Sequence, residues 1–89
     1  MNVHEHITGW KHLLPSSLAG KRAIATTKEG TSIDGFLQLM TSTIKDGGGC
    51  MTQLFIEGVY QPIIISVNGG ENRLCDAYDS ILILNEVKQ

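Results

Sequence analysis

Residues 18–40, LAGKRAIATTKEGTSIDGFLQLM, decide the fold of this chain. Small and apolar residues alternate from Lys21 to Thr27, which predicts a first strand. The Lys-Glu-Gly at residues 28–30 predicts a tight turn, and Thr31 to Met40 predicts a second strand. Gly35 interrupts that second strand and allows the sharp bend that a small barrel requires of a long strand. The stretch therefore predicts a bent β-hairpin.

The residues before this hairpin predict a short helix over residues 3–14. Ile7, Trp10, Leu13 and Leu14 recur at three- and four-residue spacing, which gives one apolar face. Pro15 is expected to end the helix.

The residues after the hairpin predict further short strands separated by turns. Glycine-rich stretches at residues 44–49 and 68–70 are typical of loops. The expected strands are Cys50 to Glu57, Pro62 to Val67 and Ser80 to Leu84, with a short extended piece from Arg73 to Ala77. We expect a loose tail at residues 85–89. The whole chain is thus predicted to be mostly β, one domain built as a small barrel.

Composition limits the class of protein. The 89 residues are 42% hydrophobic and 18% charged, which suits a single globular domain. The chain has only two cysteines, Cys50 and Cys75, and shows no signal sequence. Both observations favour free thiols in a reducing cytoplasm. No apolar run approaches the ~20 residues that span a bilayer, so no membrane association is expected. The net charge of −2 means that any contact with nucleic acid must come from a local site.

The hairpin resembles the first sequence motif of the Sm-like family, the Lsm and Hfq ring-forming RNA binders. The positions that fall on the motif are Leu18, Gly20, Lys21, Ala23, Ala25, Lys28, Gly30, Ile33, Gly35 and Leu37. The resemblance implies a short N-terminal helix followed by a strongly bent, five-stranded Sm-like (SH3-type) barrel over residues 18–84. It also implies a non-catalytic function as an RNA chaperone or scaffold, with single-stranded RNA as the partner.

Two apolar runs favour assembly of the chain with itself. Ile63 to Ile65 and Ile81 to Leu84 are apolar on both faces, and an exposed apolar edge strand is a site of aggregation unless it is paired. In Sm-like rings the fourth strand of one subunit pairs with the fifth strand of the next. The resemblance therefore implies a homo-oligomeric ring joined through residues 62–67 and 80–84. The alternative is that both runs are buried within a monomer, such as an SH3-like domain that binds a peptide.

The resemblance also implies an RNA-binding pocket between two loops. The first loop of the family carries an Asp, an apolar residue that stacks on the base and an Asn, and here those positions are Thr41, Ile44 and Lys45. The second loop carries Arg-Gly-Asp-Asn, where this chain has Asp-Ala-Tyr-Asp at residues 76–79. Because the Arg is missing, selectivity for uridine is not expected. Tyr78 can instead stack on a base, or pack on a neighbouring subunit as a turn residue.

The predicted RNA-binding residues are thus Thr41, Ile44, Lys45, Tyr78 and Asp79. The cations Lys21, Arg22 and Lys28 form a second basic cluster that can touch the backbone of a longer RNA. The stretch from Asn68 to Arg73 looks like an insertion relative to the family, and it can carry Arg73 back toward the pore in place of the missing Arg.

Other chemistries find little support in the sequence. His4, His6 and His12 do not have the spacing of a zinc site, and Cys50 and Cys75 lack a Cys-x-x-Cys partner. The glycine-rich stretches do not precede a Lys-Ser/Thr at a helix start, so they are not phosphate loops. We therefore expect no enzyme activity, no metal and no cofactor. The main alternative function is a structural or protein-binding adaptor ring that binds no RNA.

Overall fold

The computed structural model describes residues 6–44 and 48–88. They form one antiparallel sheet of six strands, curled into a half-barrel, with very little helix. The elements are a 3-10 turn at Trp10–His12, helix α1 at Pro15–Leu18, and strands β1 (Lys21–Thr27), β2 (Ser32–Ile44), β3 (Gly49–Ile56), β4 (Ile64–Val67), β5 (Arg73–Leu74) and β6 (Tyr78–Val87). The mostly β class is confirmed. No helix among the described residues is long and apolar enough to cross a membrane.

The order of strands across the sheet is β5-β4-β3-β2-β1-β6. Strands β1 to β5 follow one another as hairpins, and β6 returns to the far side of β1. The five strands that the Sm-like resemblance implies do not describe this sheet, because Arg73 and Leu74 pair with Ile65 and Ile64 as a sixth strand. The edges of the sheet are therefore β6 on one side and β5 with the end of β4 on the other.

Strand β2 is the long bent strand that curls the sheet. Its first residues, up to Phe36, pair with β1, and its residues from Leu37 onward pair with β3. Gly35 lies just before this change of partner. The predicted turn at residues 28–30 is confirmed, with Gly30 at a φ of 91°, and β1 has the predicted bounds.

The core lies on the concave face of the sheet. Its buried side chains are Leu18, Ala23, Ala25, Leu37, Leu54, Ile56, Ile63, Ile64, Tyr78, Ile81 and Ile83. Most of the two apolar runs is thus buried within a single chain. Leu82 is the member of those runs that stays more than a third exposed, at 46%.

The N-terminal segment does not form the helix predicted over residues 3–14. Residues 1–5, which include His4, lie outside the described residues. From His6 onward the chain is extended and then makes the 3-10 turn. Gly9 adopts a left-handed φ of 72°, which a helix interior excludes. Pro15 begins α1 instead of ending a helix, since its fixed φ suits a first helical position.

Residues 85–88 also differ from the prediction of a loose tail at residues 85–89, and Gln89 lies outside the described residues. Strand β6 continues to Val87, which pairs with Lys21. The Lys88 amide donates to the carbonyl oxygen of Gly20 at 2.9 Å. The Lys88 ammonium lies 2.6 Å from the nearer carboxylate oxygen of Glu57. The tail is therefore held to the sheet through Lys88.

Candidate functional site

The predicted first RNA-binding loop is largely strand. Thr41 pairs with Thr52 and Ile44 pairs with Gly49, so both belong to the β2–β3 ladder. The run Thr41-Ser42-Thr43-Ile44 is rich in β-branched residues, which favour extended backbone, and it prolongs β2 by four residues beyond the predicted end at Met40. Lys45 lies outside the described residues.

Tyr78 occupies a different place from the one expected for a base-stacking residue. It begins β6, pairs with Thr27 and is only 4% exposed. Its phenol oxygen is buried without a hydrogen-bond partner. Burial raises the pKa of Tyr78 above its ordinary value, and the nearby Cys75 adds to the rise. The ring of Tyr78 is part of the core and presents no open face, whereas the adjacent Asp79 is exposed.

The structure does not bring the two halves of the predicted pocket together within one chain. Ser80, close to Tyr78 and Asp79, lies opposite Thr26 of β1, and Thr26 in turn lies opposite Ser32 at the start of β2. Thr41 and Ile44 lie at the other end of β2. In the register of the sheet, the two predicted loops are therefore separated by most of the length of that strand.

The predicted basic cluster is partly neutralised by carboxylates. The Arg22 guanidinium donates to Asp34 through Nε at 2.9 Å and to Glu86 through Nη1 at 3.1 Å. These hydrogen bonds raise the pKa of Arg22 and, from the other side, hold the pKa of Asp34 below its ordinary value. Arg22, in β1, is therefore linked by ion pairs to β2 and β6. The other two cations of the cluster, Lys21 and Lys28, have no carboxylate partner among the described residues.

A connection missing from the sequence predictions joins the N-terminal segment to both edges of the sheet. At one end, the Ile7 amide donates to the carbonyl oxygen of Ile83 in β6 at 2.7 Å. At the other end, the segment meets Asn72, in the loop between β4 and β5. We call residues 6–14 the strap, since they cross from β6 to the opposite edge of the sheet.

Asn72 is the residue that holds the strap. Its side chain is 1% exposed, and its Nδ2 donates to the carbonyl oxygens of Trp10 at 2.8 Å and Leu13 at 2.7 Å. Its backbone amide donates to the carbonyl oxygen of Lys11 at 2.9 Å. The remaining side-chain acceptor, Oδ1, is buried and has no partner. These contacts span about sixty positions of sequence, and no local pattern in the sequence signals them.

Two adjoining cavities lie between the strap and the β4–β5 loop. The larger, about 310 Å³, is lined by Lys11, His12, Leu13, Leu14, Pro15, Thr52, Ser66, Gly69, Gly70 and Glu71. The smaller, about 260 Å³, is lined by Lys11, Glu71, Asn72, Arg73 and Leu74. Because Lys11 and Glu71 line both, the cavities form one groove. Arg73 lies at the end of the predicted insertion, in β5, and faces this groove.

Some of the charged side chains in the groove have a partner of opposite charge within reach, and others do not. His12 Nδ1 lies 3.2 Å from a carboxylate oxygen of Glu71. Lys11 lies over the Trp10 ring, 5.9 Å from its centroid. Neither Lys11 nor Arg73 has a carboxylate within ion-pair distance among residues 6–44 and 48–88. The groove therefore contains two cations that no carboxylate of the described chain neutralises.

A third cavity lies on the outer face of the sheet and is apolar. It has a volume of about 430 Å³ and is lined by Gln38, Met40, Phe55, Gly58, Val59 and Tyr60. Tyr60 is 95% exposed, and no charged side chain lines the cavity.

The described part of the chain contains neither a metal-binding cluster nor a reactive thiol site. Within it, no three His, Cys, Asp or Glu side chains are grouped in a way that can hold a metal ion. Cys50 and Cys75 are free thiols, Cys50 exposed and Cys75 half-buried. Burial raises the pKa of the Cys75 thiol, with a further contribution from Asp76, so Cys75 is a poor nucleophile.

Comparisons with protein-family models, with curated proteins and with solved structures give no match to this chain.

Proposed function

We propose that this chain is a divergent Sm-like protein that assembles into a homo-oligomeric ring and binds RNA without catalysing a reaction. The observation that carries the proposal is the outer edge of β6 between Asp79 and Leu82. Strand β6 returns to β1 after the meander, and the strap meets its outer edge at Ile83 and Leu84. No strand lies beside the outer edge from Asp79 to Leu82 in the described chain.

A free edge of this kind supports pairing with a second chain. Unpaired backbone groups at a sheet edge readily accept another strand, and this edge also presents the half-exposed Leu82. The opposite edge offers a matching surface. Strand β5 covers β4 at Ile64 and Ile65 but not at Ser66 and Val67, and Val67 is 44% exposed.

The subunit contact we propose is therefore narrower than the ranges 62–67 and 80–84 expected from the sequence. It joins the outer edge of β6, at Leu82, to the end of β4 and to β5 of the next subunit. A head-to-tail contact between two different edges closes into a ring when the rotation between subunits permits it. The apolar runs contribute through Leu82 and Val67, since the neighbouring isoleucines already lie in the core.

RNA is the partner that the unpaired cations of the groove support best. The chain carries a net charge of −2, so a nucleic acid is not attracted by a general positive field. Lys11 and Arg73 supply a local positive site, and Trp10 lies beside Lys11. Cations next to an aromatic ring are typical of surfaces that bind single strands.

One feature favours the second candidate function, an adaptor ring that binds protein. The apolar cavity around Met40, Phe55 and Tyr60 has no charged lining residue, which suits a peptide and not a phosphate backbone. In addition, the residues expected to form the RNA pocket are not gathered within one chain.

Native mass spectrometry with and without a short mixed-sequence RNA tests the proposal. A closed species of about five to seven subunits that gains the mass of RNA is expected. The variant Leu82→Lys places a charge on the β6 edge and should give mainly monomer, whereas Met40→Lys, at a side chain 51% exposed on the central strand β2, should keep the ring. A ring that gains no RNA favours the adaptor, and a 9.7 kDa monomer for the unaltered chain contradicts assembly altogether.

A further inference from the structure

The smaller part of the groove has the charge and framework of a phosphate-binding site. Its wall consists of Lys11, Glu71, Asn72, Arg73 and Leu74 around about 260 Å³. That volume is several times the ~30 Å³ that one water molecule occupies in the liquid, so a tetrahedral anion fits together with part of its hydration shell. We propose that this cavity binds a phosphate group, and that, as a consequence of the RNA-binding function proposed above, the group is a phosphodiester of single-stranded RNA.

The balance of charge in the cavity is the first support. Arg22 and Lys88 are both committed to carboxylates, at Asp34, Glu86 and Glu57. Lys11 and Arg73 have no carboxylate partner in the described chain, although they come from distant parts of the sequence and line the same cavity.

The carboxylate of Glu71 does not cancel these two cations. It lies 3.2 Å from His12 Nδ1, on the side of the larger cavity that His12 also lines. The cavity wall therefore carries two cations, Lys11 and Arg73, against the one carboxylate of Glu71. An anion entering the cavity meets a net positive charge at short range, even though the whole chain is acidic.

The backbone framework is the second support. The carbonyl oxygen of Lys11 accepts from the amide of Asn72, and Arg73 is the next residue along the chain. The side chain of Asn72 fixes the strap on either side of Lys11, through the carbonyl oxygens of Trp10 and Leu13. The two cations are thus mounted on backbone segments that are hydrogen-bonded to each other, which lowers the entropic cost of bringing both to one anion.

The chemical types of the two cations suit a phosphate. Arg73 presents a planar fork of donors that can meet two phosphate oxygens, and Lys11 supplies a point charge. Asn72 holds the neighbouring cations in position but donates no hydrogen bond to the phosphate, because its amide donors are occupied and its free Oδ1 is an acceptor.

The experiment measures binding of two probes, inorganic phosphate and a fluorescent mixed-sequence RNA hexamer, to the full chain and to Lys11→Gln, Arg73→Gln and the double variant. Lys88→Gln removes one positive charge, as each single variant does, and is their control, since Lys88 lies away from the groove and pairs with Glu57. Arg73→Lys keeps the charge but removes the fork. Thermal unfolding of each variant checks that it is folded.

We expect the double variant to bind the hexamer about tenfold more weakly at ~0.1 M salt, and Lys88→Gln to bind like the unaltered chain. The slope of log affinity against log salt should fall in magnitude by about 1.4, which corresponds to two lost phosphate contacts on a single strand. Arg73→Lys should fall between the unaltered chain and Arg73→Gln. Inorganic phosphate should compete with the hexamer for the unaltered chain.

The outcomes separate the site from the proposed function. If the hexamer binds equally well to the double variant and the unaltered chain, the site is wrong while RNA binding stands. If inorganic phosphate binds and depends on Lys11 and Arg73 but the hexamer does not bind, the site stands for free phosphates and the RNA function fails. Binding of neither probe to the unaltered chain overturns both. If Lys88→Gln loses as much affinity for the hexamer as Lys11→Gln and Arg73→Gln do, only net charge matters and the site is wrong.

Discussion

The Cγ2 methyl of Ile56 lies so close to Gly35 that a Cβ at position 35 would be 2.5 Å from it. Ile56 ends β3, and Gly35 lies in β2 just before that strand changes partner from β1 to β3. The φ of Gly35 is not in the left-handed region, so the requirement for glycine is purely steric. The bend of β2 thus depends on the absence of a side chain at this one position.

Gly35→Ala should therefore lower the free energy of unfolding by about 1–3 kcal/mol, the usual cost of overpacking a core. Chemical denaturation monitored by Trp10 fluorescence measures it, with Ser32→Ala, at an exposed position of the same strand, as the control. Combining Gly35→Ala with Ile56→Ala should cost less than the sum of the two single changes, because the smaller side chain makes room for the new Cβ. Strictly additive effects would contradict the contact.

Asn72→Ala should release the strap. It removes the two side-chain hydrogen bonds to the carbonyl oxygens of Trp10 and Leu13, each worth about 0.5–1.5 kcal/mol net, and the loss of the unpartnered Oδ1 offsets part of that. Hydrogen exchange should show faster exchange at the amides of Ile7 and His12, both of which are hydrogen-bonded within or from the strap. The amides of β1 serve as the internal control. Unchanged protection at Ile7 would mean that β6 alone holds the strap.

The difference between the predicted and observed site has a physical explanation. The hairpin of β1 and β2 follows from local signals, since strand alternation and the turn at Gly30 depend on near neighbours. The glycine at position 35 marks the bend in the sequence, although the side chain that excludes a Cβ there, Ile56, is distant along the chain. The strap and Asn72 depend on contacts between residues about sixty positions apart, which no window of sequence contains. The spacing of Ile7, Trp10 and Leu13 equally fits a helix face and an extended segment that packs on a core.

Tyr78 illustrates the same limit at a single residue. An aromatic residue between two aspartates in a presumed loop suggests an exposed ring, but position 78 already belongs to β6 and faces the core. Which face of a strand a residue occupies depends on where the strand begins, and a shift of one residue exchanges the two faces. The predicted beginning at Ser80 therefore could not assign the side chain of Tyr78.

The ion pair of Arg22 and Asp34 should make stability depend on pH in the acid range. Because the pKa of Asp34 is lowered by folding, its contribution is fully present above its unfolded value of 3.8 and is lost as the pH falls through the lower folded value. Asp34→Asn should therefore be less stable than the unaltered chain at pH 7, and the gap should narrow as the pH falls below 3.8. Urea unfolding at pH 7, 4 and 2.5 measures the gap. A gap that stays constant across this range would show that the pair contributes through packing and not through charge.

Tyr78→Phe tests whether the hydroxyl of Tyr78 is buried without a partner in the core. The phenol oxygen is buried without a partner, so its removal should leave the chain as stable as before or stabilise it by up to about 1–3 kcal/mol.

The raised pKa of Tyr78 also predicts that stability depends on pH in the alkaline range. The folded state holds the phenol proton more tightly than the unfolded state, so stability is fully present below the ordinary value of 10.0 and falls as the pH rises above it. Tyr78→Phe should remove that part of the alkaline loss, whereas Tyr60→Phe, at a fully exposed phenol, should keep it. Unfolding measured between pH 8 and 11 provides the test, and a Tyr78→Phe variant that is markedly less stable at pH 8 would mean that the hydroxyl has a partner in solution.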